Sequence, residues 1–173
     1  LKLAREKEDK KAIRFFILNQ GNLLVNQGKF TEAVTHYKKA LTISKEINYQ
    51  LGIARIYDNM GVAYAQLGKY DSSMKLYLKA LKIYELKNNQ LDILRAHNNL
   101  GNMHVRLKNP KKALKQYQKG LVLSRKLNRN DVTAALLGNI SHVYITNKQY
   151  PQALKALRES LSLAEKENDY KQV

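Results

Sequence analysis

A 40-residue internal repeat is the feature of this sequence that most restricts its fold. When the chain is compared with itself at that shift, small, aromatic and leucine positions fall in register in successive copies. The matching sets are Gly21, Gly61, Gly101 and Ser141; Phe30, Tyr70, Pro110 and Tyr150; Ala33, Ser73, Ala113 and Ala153; Tyr37, Tyr77, Tyr117 and Leu157; Leu41, Leu81, Leu121 and Leu161. A repeat of this length indicates a supersecondary unit that is stable only when it is stacked on its neighbours.

The register divides the chain into four full repeats with incomplete ends. The repeats are predicted to span residues 11–50, 51–90, 91–130 and 131–170. Residues 1–10 align with the end of the fourth repeat, so we expect them to be the tail of a preceding repeat's second helix. Residues 171–173 fall at the position in the 40-residue repeat at which a following helix would begin. We therefore interpret the sequence as an excerpt from a longer array.

Each repeat is predicted to form two antiparallel helices. Apolar residues follow the i, i+3, i+4, i+7 spacing of an amphipathic helix in both halves of the repeat, as in Tyr57, Met60, Gly61 and Tyr64, and in Met74, Tyr77, Leu78, Leu81 and Tyr84. Turn signals such as QLGKY and LKNP separate the halves, and Pro110 and Pro151 suit the first turn of a second helix. No segment alternates as a half-buried strand would, so the expected fold class is all-α.

The stretch NMGVAYAQLGKYDSSMKLYLKALKIYE, residues 59–85, resembles the tetratricopeptide repeat. The long unit is similar to the extended class found in kinesin light chains, cell-polarity adaptors and bacterial signalling proteins. This resemblance implies a right-handed superhelical solenoid of antiparallel helix pairs, in which the first helices line a concave groove. The chain departs from the family pattern where tryptophan and small residues are usual, at Ile17, Tyr57, His97 and Leu137, and at Gly120, Ser141 and Ser160.

One polar stripe on the predicted first helices contains an asparagine at the same position in every repeat. On a helical wheel it lies opposite the core positions of each helix. The stripe comprises Phe15, Asn19, Asn22 and Asn26; Arg55, Asn59, Val62 and Gln66; Arg95, Asn99, Asn102 and Arg106; and Ala135, Asn139, His142 and Thr146. We call Asn19, Asn59, Asn99 and Asn139 the asparagine ladder. Neighbouring Asn98 has no clear role on sequence grounds.

Two interpretations of this stripe compete. A polar face opposite a core can be merely solvated, but lysine or glutamate would serve that purpose with a better helix propensity. The family resemblance implies instead that the ladder holds the backbone of an extended peptide, for which a carboxamide offers both a donor and an acceptor. The candidate groove residues are Asn19, Asn59, Asn99, Asn139, Asn22, Arg55, Arg95, Asn102, Arg106 and His142. The arginines would favour acidic ligands.

The net charge of +17 raises the question of an anionic partner. Lysines concentrate on the second helices, where a solvent-exposed outer face explains them. The tyrosines lie at helix positions that face the core, whereas nucleic-acid-binding proteins stack bases on exposed aromatic side chains. We therefore do not expect nucleic-acid binding. The apolar runs are too short for membrane insertion. As the compartment of the protein we favour the cytoplasm, with the periplasm as the alternative.

No catalytic constellation, cofactor site or metal site is expected. His97 and His104 share a face but lie in core phases, and the sequence contains no cysteine. The sequence thus predicts a protein-protein interaction module of a larger bacterial signalling or regulatory protein, which binds an extended peptide or a partner helix in its concave groove. The expected partner is a protein or peptide, acidic by charge. The alternative is a structural spacer, or a solenoid that self-associates through the incomplete ends of the array.

Overall fold

The structure is a computed structural model that describes the backbone of residues 2–169. Within this range the chain folds as eight α-helices without strands. The helices are α1 (Lys2–Asn26), α2 (Phe30–Glu46), α3 (Gln50–Gln66), α4 (Tyr70–Leu86), α5 (Gln90–Arg106), α6 (Pro110–Lys126), α7 (Asn130–Thr146) and α8 (Tyr150–Asp169). None of the described helices is long and apolar enough to cross a membrane.

The chain forms two compact units, Leu1–Asn89 and Gln90–Val173. In the first unit, α2 packs between α1 and α3, and α4 packs on α3; in the second, α6 packs between α5 and α7, and α8 packs on α7. The core of the first unit joins α2 and α3 through Ala33, Val34, Tyr37, Ala40, Ile56, Met60 and Ala63. That of the second contains Ala113, Tyr117, Leu136, Leu137, Ile140, Val143 and Ala156. Within each unit, three-residue connections make successive helices antiparallel neighbours, which confirms the predicted helix pairs.

Each connection between the described helices uses a residue in the left-handed region of backbone space. These residues are Gly28, Asn48, Gly68, Asn88, Lys108, Asn128 and Lys148, with φ between 49° and 75°. The first turn shows the bonding pattern: the amide of Gly28 donates to the carbonyl of Val25 at 2.9 Å, and that of Lys29 to Leu24 at 2.8 Å. This arrangement is the Schellman motif, which ends a helix by satisfying its last carbonyls.

Close approach of the two helices of a repeat depends on a glycine beneath a tyrosine ring. A Cβ atom built at Gly61 would lie 2.7 Å from Cε1 of Tyr77, and one at Gly21 would lie 2.5 Å from Cε1 of Tyr37. Gly101 and Tyr117 form the equivalent contact in the third repeat. The missing side chain therefore makes the space that the ring occupies, which explains why the glycine and the tyrosine recur together.

The fourth repeat departs from this pair at both positions together. Ser141 replaces the glycine and is buried, and its hydroxyl donates to the carbonyl of Gly138 at 2.7 Å. The tyrosine position holds Leu157, which is half-exposed. A Cβ atom is tolerated at Ser141 because the shorter leucine has replaced the ring. The sequence departure at Ser141 is therefore compensated within the same helix pair.

The amino-terminal segment differs from the register expectation. Residues 7–9 align with the turn at 47–49, yet α1 continues through them as one helix of 25 residues. The position of Asn48, which adopts a φ of 54°, is occupied here by Glu8, a good helix former that pairs with Lys11 one turn later. Residues 2–10 thus extend α1 without a break, and residues 171–173 lie outside the described range.

Replacement of Gly61 by Ser should expose the coupling between the glycine and the ring. We expect the free energy of unfolding to fall by about 1–3 kcal/mol, because the new side chain collides with Tyr77. The double variant Gly61→Ser/Tyr77→Leu recreates the serine and leucine pair of the fourth repeat. Its loss of unfolding free energy should therefore be smaller than the sum of the two single losses by at least about 0.5 kcal/mol. Urea denaturation measures all four proteins. Strict additivity would contradict the proposed contact.

Replacement of Lys108 by Gly should stabilise the protein. A non-glycine residue in the left-handed region is disfavoured by about 1–2 kcal/mol. Glycine avoids this cost, but part of the gain is lost because glycine gives the unfolded chain more conformational entropy. We therefore expect the free energy of unfolding to rise by about 0.5–1 kcal/mol. The matched control, Lys119→Gly in the middle of α6, should lower it by about 1 kcal/mol. Equal losses in the two variants would rule out a role for the φ of Lys108.

Candidate functional site

The predicted stripe lies on the accessible side of the first helices that pack between two others. On α3, Asn59 and Val62 are half-buried and Arg55 is exposed, whereas the rest of the helix buries residues against α2 and α4. On α7, Asn139 is half-buried and His142 is exposed. Because second helices cover the other faces, the stripe is the part of each helix that a ligand can reach.

In the first unit, the stripes of α1 and α3 are joined through Asn22. Its carboxamide oxygen accepts a hydrogen bond of 2.9 Å from the hydroxyl of Tyr37 and another of 3.1 Å from Nδ2 of Asn59. Both bonds end on the same oxygen, which fixes the orientation of the amide group. The Nδ2 group of Asn22 and Oδ1 of Asn59 therefore point elsewhere, as one donor and one acceptor held side by side.

These groups line a cleft between α1 and α3. The cleft has a volume of about 240 Å³ and is lined by Asn22, Val25, Asn26, Tyr37, Asn59 and Val62. Three of the lining residues are asparagines and two are valines, so polar amides lie beside an apolar floor. The structure thus brings together the predicted site residues Asn22 and Asn59. On sequence grounds Tyr37 was recognised only as a repeat position, and Val25 was not considered.

The second unit repeats the arrangement with one change. The hydroxyl of Tyr117 donates to Oδ1 of Asn102 at 2.6 Å, as Tyr37 does to Asn22. Asn139, however, reaches back to Oδ1 of Asn98 at 2.9 Å instead of bonding to the residue that corresponds to Asn22. Asn98, which had no clear role in the sequence, is thereby identified as the interhelix acceptor for this step of the ladder.

The four ladder asparagines fall into two groups. Asn59 and Asn139 each donate to the preceding first helix of their own unit, so part of their recurrence is explained by packing. Asn19 is exposed and Asn99 half-buried, and neither makes a side-chain hydrogen bond to a described residue of its own unit. The interhelix bonds of Asn59 and Asn139 therefore do not explain why asparagine recurs at positions 19 and 99.

The predicted arginines differ in their surroundings. Arg95 forms an ion pair with Asp92, a buried carboxylate one turn earlier on α5 that the sequence analysis did not consider. The spacing of three residues on a helix was the signal that could have identified this pair. Arg55 and Arg106 are exposed on α3 and in the last turn of α5. Positive charge therefore accompanies the stripe, but Arg95 is balanced by Asp92 and Arg55 also has an interaction within the chain.

The histidines of α5 are packed side chains. His97 is buried, and its Nδ1 atom lies 2.8 Å from the side-chain oxygen of Gln116 on α6. Burial lowers the pKa of His104, and the positive charge of Lys112 lowers it further, so its neutral form is favoured. In the part of the chain that the structure describes, no three histidine or carboxylate side chains are grouped as they would be around a metal ion.

A family model described as "Tetratricopeptide repeat" matches residues 14–85 and 92–166. No curated protein sequence matches the chain significantly.

Solved structures share the fold at low sequence identity. BtubC (BKLC) from P. vanneervenii aligns with a TM-score of 0.84 and 18% identity over 92% of this chain and 66% of its own. The apo form of RapI aligns with a TM-score of 0.82 and 21% identity, covering 90% and 57%. Aspartyl phosphate phosphatase F from Bacillus subtilis aligns with a TM-score of 0.85 and 18% identity, covering 95% and 43%. The chain thus spans at most about two thirds of these proteins.

Removal of the Tyr37 hydroxyl should change stability in a pH-dependent way. Burial raises the pKa of Tyr37 from 10.0 to about 12, so the unfolded state loses this proton first. Stability from this group is complete below pH 10 and is lost as the pH rises toward 12. We expect Tyr37→Phe to lower the free energy of unfolding by about 1 kcal/mol at neutral pH, through the lost bond to Asn22. The free energy of unfolding of Tyr37→Phe should then decline less steeply at alkaline pH than that of the parent chain.

The matched control for this experiment is Tyr150→Phe, since Tyr150 is exposed. Denaturation at neutral and alkaline pH should give the same decline for this variant as for the parent chain. An identical decline in Tyr37→Phe would show that the buried hydroxyl contributes nothing to the alkaline loss of stability.

Proposed function

Because this chain belongs to the tetratricopeptide repeat family, whose repeats are protein-interaction modules, we propose that it binds an extended peptide along the stripes of its first helices. The observation that supports this proposal is the cleft between α1 and α3, where Asn22 and Asn59 lie side by side above apolar side chains. The predicted array is confirmed by the family match and the similar structures, while the groove is our proposal.

The available hydrogen-bonding groups of Asn22 and Asn59 favour an extended ligand over a partner helix. Asn22 offers Nδ2 and Asn59 offers Oδ1, because their other groups are engaged with each other and with Tyr37. An extended peptide carries unpaired N–H and C=O groups that match this donor and acceptor, as a neighbouring strand would. A helix has already paired its own backbone groups and would leave the two carboxamide groups unsatisfied.

The side chains beside the amides indicate what the peptide would carry. Val25 and Val62 form an apolar floor, which suits a small aliphatic side chain of the ligand. Arg106, in the last turn of α5, is exposed and lies one helical turn after Asn102, so an acidic residue of the peptide could be paired there by two parallel hydrogen bonds. We therefore propose a ligand that carries a small apolar residue and an aspartate or glutamate.

The module has no reaction of its own in this proposal. Binding a peptide without chemistry has an effect only when it recruits or displaces another protein or domain. We therefore propose that the chain serves a signalling or regulatory protein. RapI, which shares the fold, is longer than this chain, and the alignment covers 57% of its residues.

A displayed library of random peptides tests the groove. We expect the chain to select peptides enriched in aspartate or glutamate, with affinity that weakens as ionic strength rises. The variant Asn59→Ala should weaken binding of a selected synthetic peptide by about three- to tenfold, the value of one hydrogen bond. The pair Asn19→Ala/Asn99→Ala tests the ladder without touching the two interhelix bonds, and should weaken binding by about tenfold or more.

The matched control is Gln118→Ala, which removes a carboxamide from an exposed position of α6 outside the stripe. It should leave binding unchanged, and circular dichroism should show equal helicity in all variants. Side-chain NH₂ resonances of Asn22 and Asn99 should shift when the peptide is added. A library that yields no binder, or binders indifferent to every ladder substitution, would instead support the spacer alternative.

A further inference from the structure

The second helix of the third repeat, α6, carries positive charge that no acidic residue of the same helix balances. Its charged residues are Lys111, Lys112, Lys115, Lys119, Arg125 and Lys126. The other second helices contain acidic residues as well: Glu32 and Glu46 on α2, Asp71 and Glu85 on α4, and Glu159 and Glu165 on α8. A solvent-exposed outer face explains the mixed charge of those helices, but it does not account for the single sign of α6.

The positions of the lysines on α6 oppose the electrostatics of a helix. Lys111 and Lys112 lie in the first turn, where the helix dipole favours negative charge and where α2 and α4 each carry an acidic residue. Lys111, Lys115 and Lys119 follow one another at intervals of four residues, and like charges at this spacing repel each other. The charge pattern therefore lowers the stability of α6, and a negatively charged partner would offset that cost.

Five of these lysines form one continuous surface, which we call the basic face of α6. It comprises Lys111, Lys112, Lys115, Lys119 and Lys126, all of them exposed. Because an α-helix has about 3.6 residues per turn and rises about 1.5 Å per residue, the five fall within an arc of roughly 100° and span about 22 Å of the helix axis. None of them forms an ion pair with a described carboxylate of the second unit. Val122, which is 69% exposed, lies within the same arc.

The residue types on the basic face indicate which anionic partner it suits. The neighbouring arginines are engaged elsewhere, Arg125 with Glu159 and Arg129 with Asp131. Protein interfaces are depleted in lysine and enriched in arginine and aromatic residues, and single-stranded nucleic acids are bound by stacking on aromatic side chains. The basic face offers lysines and one valine instead. A lysine carries a compact charge on a flexible stem, which suits a partner without fixed positions for its negative charges.

We propose that the basic face of α6 binds the surface of an anionic lipid bilayer, with the helix axis parallel to the bilayer plane. Clusters of about four to eight basic residues on one helix adsorb to membranes that contain anionic lipids. Lipids diffuse in the plane of the bilayer, so their headgroups gather beneath the lysines without a complementary protein surface. Val122 would enter the interfacial region, where an apolar side chain is favoured over water. This contact uses a second helix, so it is separate from the proposed peptide groove on the first helices.

Co-sedimentation of the 173-residue chain with lipid vesicles tests the proposal. We expect binding to vesicles of phosphatidylcholine mixed with phosphatidylserine, no binding to phosphatidylcholine alone, and weaker binding as ionic strength rises. Each lysine near an anionic membrane strengthens binding about fivefold, so Lys112→Gln/Lys115→Gln/Lys119→Gln should weaken it by about a hundredfold. Lysine and glutamine have similar helix propensities, so circular dichroism should show unchanged helicity.

The matched control is Lys38→Gln/Lys39→Gln/Lys45→Gln, which removes the same charge from exposed positions of α2. It should weaken vesicle binding by less than about threefold, because lysines outside the contact act only through screened long-range attraction. Equal losses in the two triple variants would show that the net charge of the chain governs binding, and would overturn the assignment to α6.

The variant Val122→Trp locates the contact, since it introduces the only tryptophan of the chain. Its fluorescence should shift to shorter wavelength when phosphatidylserine vesicles are added. The control Thr42→Trp occupies the corresponding exposed position of α2 and should show no shift. Absence of binding to phosphatidylserine vesicles at low salt would overturn the proposal. Displacement from the vesicles by duplex DNA at an equal concentration of negative charge would also overturn it, in favour of nucleic acid as the partner.

Discussion

The contact between a glycine on a first helix and a tyrosine ring on the following second helix governs the geometry of the protein. It brings the two helices close enough for the ring to lie over bare backbone at Gly21, Gly61 and Gly101. The same ring carries a hydroxyl to the accessible stripe, where Tyr37 and Tyr117 orient Asn22 and Asn102. One aromatic side chain therefore fixes both the packing distance and the direction of a carboxamide in the candidate groove.

The asparagine ladder combines packing with recognition because a carboxamide has more hydrogen-bonding capacity than one neighbour uses. Asn59 and Asn139 spend a donor on the preceding first helix and keep an acceptor, and Asn22 keeps a donor. Asn19 and Asn99 make no such bond to the described residues of their units. A polar residue of any type could have been solvated at these positions, whereas bonds of both kinds require a short side chain with a donor and an acceptor.

The candidate groove presents amides and positive charge, so its peptide complex should weaken as salt screens that charge. It lies on the part of the first helices that the packed second helices leave accessible. A ligand can therefore bind there without displacing the contacts of the helix core.

The amino-acid sequence by itself determined the all-helical class, the 40-residue register, the turns and the accessible stripe, because the periodicities of helices and repeats are properties of a linear pattern. Only the tertiary structure decided which partners the stripe residues meet: Asn98 as an acceptor, Asp92 beside Arg95, and Tyr37 beneath the cleft. These contacts join residues on different helices or depend on rotamers, and neither the distance between helices nor the direction of a side chain is written in the spacing of residues along the chain.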